Sequence, residues 1–213
     1  MFEDLHLLLN QIIKKDVLFE VRLDNVNDDI QDALKALDTV KDRLILTVRT
    51  GREGGYYIGD DEELRKKYLE IIDYRPSFID IEVNSKIFED VAKEAKDNSI
   101  KVIASFHDPF KTPSKEKLRR ILERMIKSPY VDIAKLVTMA RSYKDSLTIL
   151  ELLDRHSSKK PLIMFCMGKY GKISRIMAPL LGSWLTYVSI HGRETAPGQL
   201  TLEEIEMILR WLK

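Results

Sequence analysis

Short apolar runs alternate with stretches of helical period along almost the whole chain, and this alternation leaves few folds open. VLFEVRL (17–23), RLILTVR (43–49), FIDIEV (78–83), IKVIASFH (100–107), VDIAKLV (131–137), PLIMFCM (161–167) and SWLTYVSI (183–190) read as strands. Between them, helices are predicted over 28–38, 61–74, 85–97, 115–127 and 144–155, from near Ile173, and over 201–212. Leu5, Leu8, Leu9, Ile12 and Ile13 add an amphipathic helix over 3–15 ahead of the first readable strand. Strands that regularly alternate with helices pair in parallel through crossover connections, which is α/β architecture. Seven readable strands exceed the five or six of a typical doubly wound sheet and approach the eight of a barrel. The expectation is a single (β/α)8 TIM-barrel domain over 1–213, lacking or truncated at its first strand.

Composition excludes several functions. Lys and Arg (35) nearly equal Asp and Glu (34), so no overall basic field draws the chain to nucleic acid or an anionic membrane. Its single cysteine, Cys166, forms no intrachain disulfide and no multi-cysteine zinc site, and reads as a core residue of a reducing compartment. The N-terminus carries acidic residues where a signal peptide is basic, and no run approaches the roughly 18 apolar residues of a membrane span. A soluble, cytoplasmic protein is expected.

The polar residues inside the strands are more telling. Parallel strands covered on both faces should be nearly continuous apolar runs. Here Glu20 and Arg22 share one face, as do Asp80 and Glu82, and Ser105 and His107; Arg49 closes its strand, and Lys135 interrupts VDIAKLV. Two readings fit Lys135. It snorkels to water or pairs with a carboxylate, or burial disfavours its ammonium form and leaves a nucleophilic amine. One such charge is ordinarily structural; charges on several strands together need mutual compensation and point to a site. His107, at the end of the preceding strand, is placed to act as a general base beside Lys135. His6, His156 and His191 are expected at the surface.

Neither glycine-containing segment supports nucleotide binding. GREGG (51–55) has the wrong spacing, and MGKYGKIS (167–174) has Cys166 in place of a phosphate loop's first glycine. Arg175, just past that turn, offers a fork to a carboxylate, although an arginine alone is usually exposed. Thr201 and Glu204 form a capping box, which leaves Gln199 unexplained, and the polar HGRET stretch suits a lid.

In order along the chain, EVRLD, TVRTGREGG, IDIEV, ASFHDPFKTP, DIAKL, MGKYGKISR, GSWLTY and APGQL resemble the type I 3-dehydroquinate dehydratases. The resemblance runs from about residue 16 to the end. It implies a (β/α)8 barrel that removes water from 3-dehydroquinate by syn elimination, giving 3-dehydroshikimate in the shikimate pathway of aromatic amino acid biosynthesis. It also implies no cofactor, no metal and a homodimer. Lys135 matches the family's Schiff-base lysine, His107 its general acid/base and Glu53 the carboxylate orienting that histidine. Arg175 and Gln199 match the residues gripping the substrate carboxylate, and Glu20, Arg22 and Arg49 those binding ring hydroxyls. Thr195 stands where the family commonly has serine. Phe165 with Met167 replaces a common Met-x-Met, a change expected to affect packing only. The family's first strand precedes the helix that begins this chain, so an open seam beside the Glu20 strand is expected. A Schiff-base aldolase or another barrel lyase would share Lys135 without Glu53 and Arg175; a non-catalytic barrel scaffold would use none of them.

Overall fold

The computed structural model describes residues 17–25, 30–189 and 195–212. The helix expected over 3–15 and most of the HGRET stretch lie outside them. The chain divides into two compact units, the first holding residues up to Ile81 with Ser85–Val102, the second Glu82–Asn84 with the remainder from Ile103.

In the first unit, β1 (Phe19–Arg22), β2 (Leu44–Thr47) and β3 (Phe78–Glu82) pair in parallel in chain order. They are joined through α1 (Ile30–Lys35) and α2 (Asp61–Tyr74), and β3 is followed by α3 (Phe88–Asp97). The predicted helix over 28–38 is shorter than expected and gives way to a 3-10 segment over Asp38–Arg43. The expected bounds of α2 hold because Asp60 caps it, accepting from the Glu63 backbone N–H at 2.8 Å, and three acidic residues sit in the first turn, where the helix dipole favours them.

In the second unit, β4 (Lys101–Asp108, entering from the first unit), β5 (Ile133–Met139) and β6 (Leu162–Met167) are again parallel neighbours in chain order. Connecting them are α4 (Lys115–Lys127) and α5 (Tyr143–His156), and α6 (Lys172–Met177) follows β6. Strand β5 is buried along nearly its whole length, as expected of a parallel strand covered on both faces, and Leu136, Ile163 and Cys166 lie in the core. Burial pushes the Cys166 thiol pKa up, only partly offset by the Thr138 hydroxyl.

SWLTYVSI is mostly not strand. Among its described residues, Val188–Ser189 (β7) pairs in parallel with Leu200–Thr201 (β8), which leads into α7 (Leu202–Trp211), and Ser183 makes an isolated parallel bridge to Leu162 at the start of β6. That bridge carries the Trp184 N–H bond to the Leu162 carbonyl at 2.7 Å, while between it and β7 the Thr186 hydroxyl donates to the Arg175 carbonyl at 3.2 Å. The capping box holds as expected, with Thr201 accepting from Glu204 N–H and Glu204 from Thr201 N–H. His156 departs from its expected surface position. It is only 6% exposed, with Nδ1 bonded to the Leu152 carbonyl at 2.8 Å, which lets the last turn of α5 bury a polar ring. No helix among the described residues is long and apolar enough to cross a membrane.

Candidate active site

Within the first unit, register puts the charges together. Arg22 pairs with Thr47 and Thr47 with Asp80, so these side chains share a face with Glu20 and with Arg49, two residues past Thr47. The buried Arg49 guanidinium donates to Asp80 at 2.6 Å and stands 3.7 Å from Glu53, four residues on in a 3-10 turn. Tyr68 donates its hydroxyl to the Asp80 carbonyl at 2.7 Å, supporting the same strand from α2. Glu20 accepts from the Thr47 hydroxyl at 3.1 Å. Gly55 closes the turn: a Cβ there would strike the Arg49 carbonyl, so the loop carrying Glu53 packs directly on the backbone of Arg49.

Asp24, not singled out by the sequence, organises the end of β1. Its Oδ1 accepts from Arg22 Nε at 2.8 Å and Arg49 N–H at 3.0 Å; its Oδ2 accepts from Arg22 Nη2 at 2.6 Å and Tyr56 N–H at 3.0 Å. Burial alone would raise the Asp24 pKa, but these four donors outweigh it and hold the carboxyl below its ordinary value.

In the second unit, Ser105 pairs with Lys135 and Val137 with Phe165, so Lys135, His107 and Phe165 lie on one face of adjacent strands. Lys135 is only 3% exposed and does not snorkel to water. Its Nζ donates to the Tyr187 hydroxyl at 3.0 Å and lies 4.2 Å from the Tyr187 ring centroid. Tyr187 packs against Phe165 with ring centroids 5.9 Å apart, and the Arg175 guanidinium stacks 4.3 Å over the other ring, Phe165. Arg175 is buried, 1% exposed, which overturns the exposed outcome usual for such an arginine. Ser174 fixes the start of its helix, accepting from Cys166 N–H at 2.7 Å and donating to the Gly171 carbonyl at 2.6 Å.

Gln199 is buried, and its Oε1 accepts from both the backbone N–H and the hydroxyl of Thr195, at 2.9 and 3.1 Å. Gly168 and Gly198, both with positive φ, let the APGQ turn lie on the end of β6, where Gly168 N–H donates to the Pro197 carbonyl at 2.8 Å. Among the described residues no three His, Cys, Asp or Glu side chains cluster as metal ligands.

A family model described as type I 3-dehydroquinase matches residues 2–213. The chain belongs to the type I 3-dehydroquinase family. A relative named 3-dehydroquinate dehydratase from Pyrococcus abyssi is 38% identical over 195 residues, 92% of this chain and 87% of the relative. One of the same name from Methanocaldococcus jannaschii is 35% identical over 195 residues, 91% of this chain and 86% of its own length. Among solved structures, the Clostridium difficile type I 3-dehydroquinate dehydratase with covalent modified comenic acid matches with TM-score 0.87 and 27% identity, over 99% of this chain and 88% of that one. The fold is therefore the α/β barrel class of the type I 3-dehydroquinases, and the chain is a lyase, a dehydratase of 3-dehydroquinate in the shikimate pathway. Sequence reasoning about this type I 3-dehydroquinase passed over Tyr187 and Asp24, and read Phe165 as packing alone although its ring carries the Arg175 guanidinium.

Proposed function

We propose that this chain, working as one catalytic domain, dehydrates 3-dehydroquinate through a Schiff base on Lys135. The observation that carries the reading is the burial of Lys135 on β5, on the same face as His107 of the neighbouring strand, in a chain of this family. The Lys135 amine condenses with the substrate ketone and releases water, leaving an iminium that withdraws electrons from the adjacent C–H bond. His107 takes that proton, and the resulting enamine expels the hydroxyl one carbon further on, protonated by the same histidine. Because one group both removes and returns a proton on one side of the ring, elimination is syn. Hydrolysis of the product imine then restores Lys135.

Arg175 and Gln199 are assigned to the substrate carboxylate, with the Thr195 backbone N–H and hydroxyl holding the Gln199 amide oxygen, which leaves the donor end of the amide for the carboxylate. Glu20, Arg22 and Arg49 are assigned to the ring hydroxyls and Glu53, which lies 3.7 Å from Arg49, to orienting His107, on the strength of motif position. The iminium supplies the electron sink, so this reading needs no cofactor. A cytoplasmic homodimer belongs to the same reading.

Borohydride added with 3-dehydroquinate should reduce the imine and fix the substrate's mass on Lys135, while turnover generates a conjugated enone seen in the ultraviolet. Enone formation without any trapped mass at Lys135 would remove the Schiff base and keep the dehydratase; absence of both would remove the dehydratase as well.

A further inference from the structure

A lysine amine that attacks a carbonyl sits on a flexible four-carbon stem, so its nitrogen needs a partner that fixes it without permanently holding the lone pair. Tyr187, just before β7, meets Lys135 in two ways: its oxygen accepts an N–H at 3.0 Å, and its ring presents a face 4.2 Å from the same nitrogen. The ring is itself held. Phe165 packs against it at 5.9 Å with an interplanar angle of 55°, and the neighbouring Thr186 is bonded to the Arg175 carbonyl.

We infer that Tyr187 is a further catalytic residue, which holds the Lys135 nitrogen and supports its positive charge through imine formation; the inference rests on the Schiff-base reading above. In that step Lys–NH3⁺ and the ketone give Lys–NH⁺=C and water: one N–C bond forms, the C–O bond breaks, and two protons leave nitrogen with the oxygen. Nitrogen is cationic at both ends of the step and keeps one N–H in the iminium. The Tyr187 oxygen can accept that remaining N–H as it accepts one from the ammonium, and the ring face favours both cations. Tyr187 exchanges no proton itself.

The variants Y187F and Y187L separate the two contacts. Y187F keeps the ring and loses the acceptor; Y187L loses both, and circular dichroism confirms that each is folded. The first measurement needs no substrate: acetic anhydride labels Lys135 over a pH series, and peptide mass spectrometry gives the midpoint of its reactivity. An acceptor lost from an ammonium disfavours the charged form, so the Y187F midpoint should fall, by on the order of one pH unit or tenfold in proton affinity, and that of Y187L at least as far. The acid limb of kcat/KM should move down with it, because the neutral amine then persists to lower pH. The second measurement is borohydride trapping with 3-dehydroquinate above the midpoint of every variant, where Y187F should trap several-fold more slowly. Midpoints equal to wild type in both variants would overturn the inference. A wild-type chain that cannot be trapped removes the Schiff base and the catalytic role together, while the labelling midpoint still reports whether Tyr187 holds the amine.

Discussion

Replacing Asp24 by asparagine tests whether the end of β1 is held electrostatically. Each carboxylate oxygen takes one guanidinium N–H of Arg22 and one backbone N–H, from Arg49 or Tyr56. An asparagine keeps one oxygen and puts an NH₂ group against the other two donors, so two bonds are lost and donors face donors. Hydrogen bonds to a charged group contribute about 1.5–3 kcal/mol each. The Arg22 side chain is 20% exposed, which places the sum near the low end, at about 3 kcal/mol. For a chain of this size that corresponds to a fall in Tm of roughly 6–12 °C at pH 7. The pH dependence has a definite sign. The folded-state pKa lies below the ordinary 3.8, so the stabilisation is complete above about 3.8 and is lost as pH falls through the folded value. Calorimetric melts of wild type and D24N at pH 7, 5, 3 and 2 should show a constant gap at the upper two values that closes toward pH 2. Equal Tm values at pH 7, or a gap undiminished at pH 2, would refute the reasoning. Because Asp24 also orients Arg22, the variant should raise KM for 3-dehydroquinate more than it lowers kcat.

The remaining outcomes follow from the assigned roles. K135A should abolish turnover with its circular dichroism spectrum unchanged, and near-wild-type enone formation by K135A would defeat the covalent assignment. H107A should lower kcat by about 10²–10⁴-fold while still allowing slow borohydride trapping, since the lysine is intact; an unaltered kcat would exclude it as the proton carrier. G198A places a Cβ 2.5 Å from the Gly168 carbonyl oxygen at a backbone φ of +75°, so the APGQ turn must shift and KM should rise several-fold. An unchanged KM for G198A would show that this turn does not set substrate affinity.

Much of the fold was legible because local chemistry and burial agreed. The helices at 61–74 and 115–127 start where Asp60 and Ser114 can cap them, and their bounds come out as read. SWLTYVSI was read as one strand, but its described residues pair only at the Ser183 bridge to Leu162 and at Val188–Ser189, because between them the Thr186 hydroxyl turns to the Arg175 carbonyl. His156 was misread because a polar ring at a helix end ordinarily faces water, and only tertiary structure shows it buried against the Leu152 carbonyl. At the site, Arg49 and Lys135 were visible as charges in or at the end of apolar strands, whereas Glu53 came only from the family resemblance. Asp24 was not, because an aspartate after a strand looks like turn chemistry. Tyr187 was invisible for the opposite reason: an aromatic residue in an apolar segment looks like core, and its hydroxyl matters only because Lys135 lies 3.0 Å away.

Phe165 and Tyr187 together address a difficulty that any buried cationic site meets. Lys135 and Arg175 are both nearly inaccessible to water, and burying cations is costly unless something replaces hydration. Carboxylates placed directly against both would compensate them fully, but would also compete with an anionic substrate for the same donors. Ring faces avoid that competition. Arg175 lies 4.3 Å over Phe165 and Lys135 4.2 Å from the Tyr187 centroid, and the two rings pack on each other, so one aromatic pair underlies both cations. Such a contact contributes about 0.5–2 kcal/mol per cation, rising as water is excluded, yet brings no negative charge into the site. It also uses none of the in-plane donors of a guanidinium, so stacking on Phe165 is compatible with the fork geometry by which arginine pairs a carboxylate. The aromatic pair thus favours positive charge on Lys135 and Arg175 without itself contributing a carboxylate.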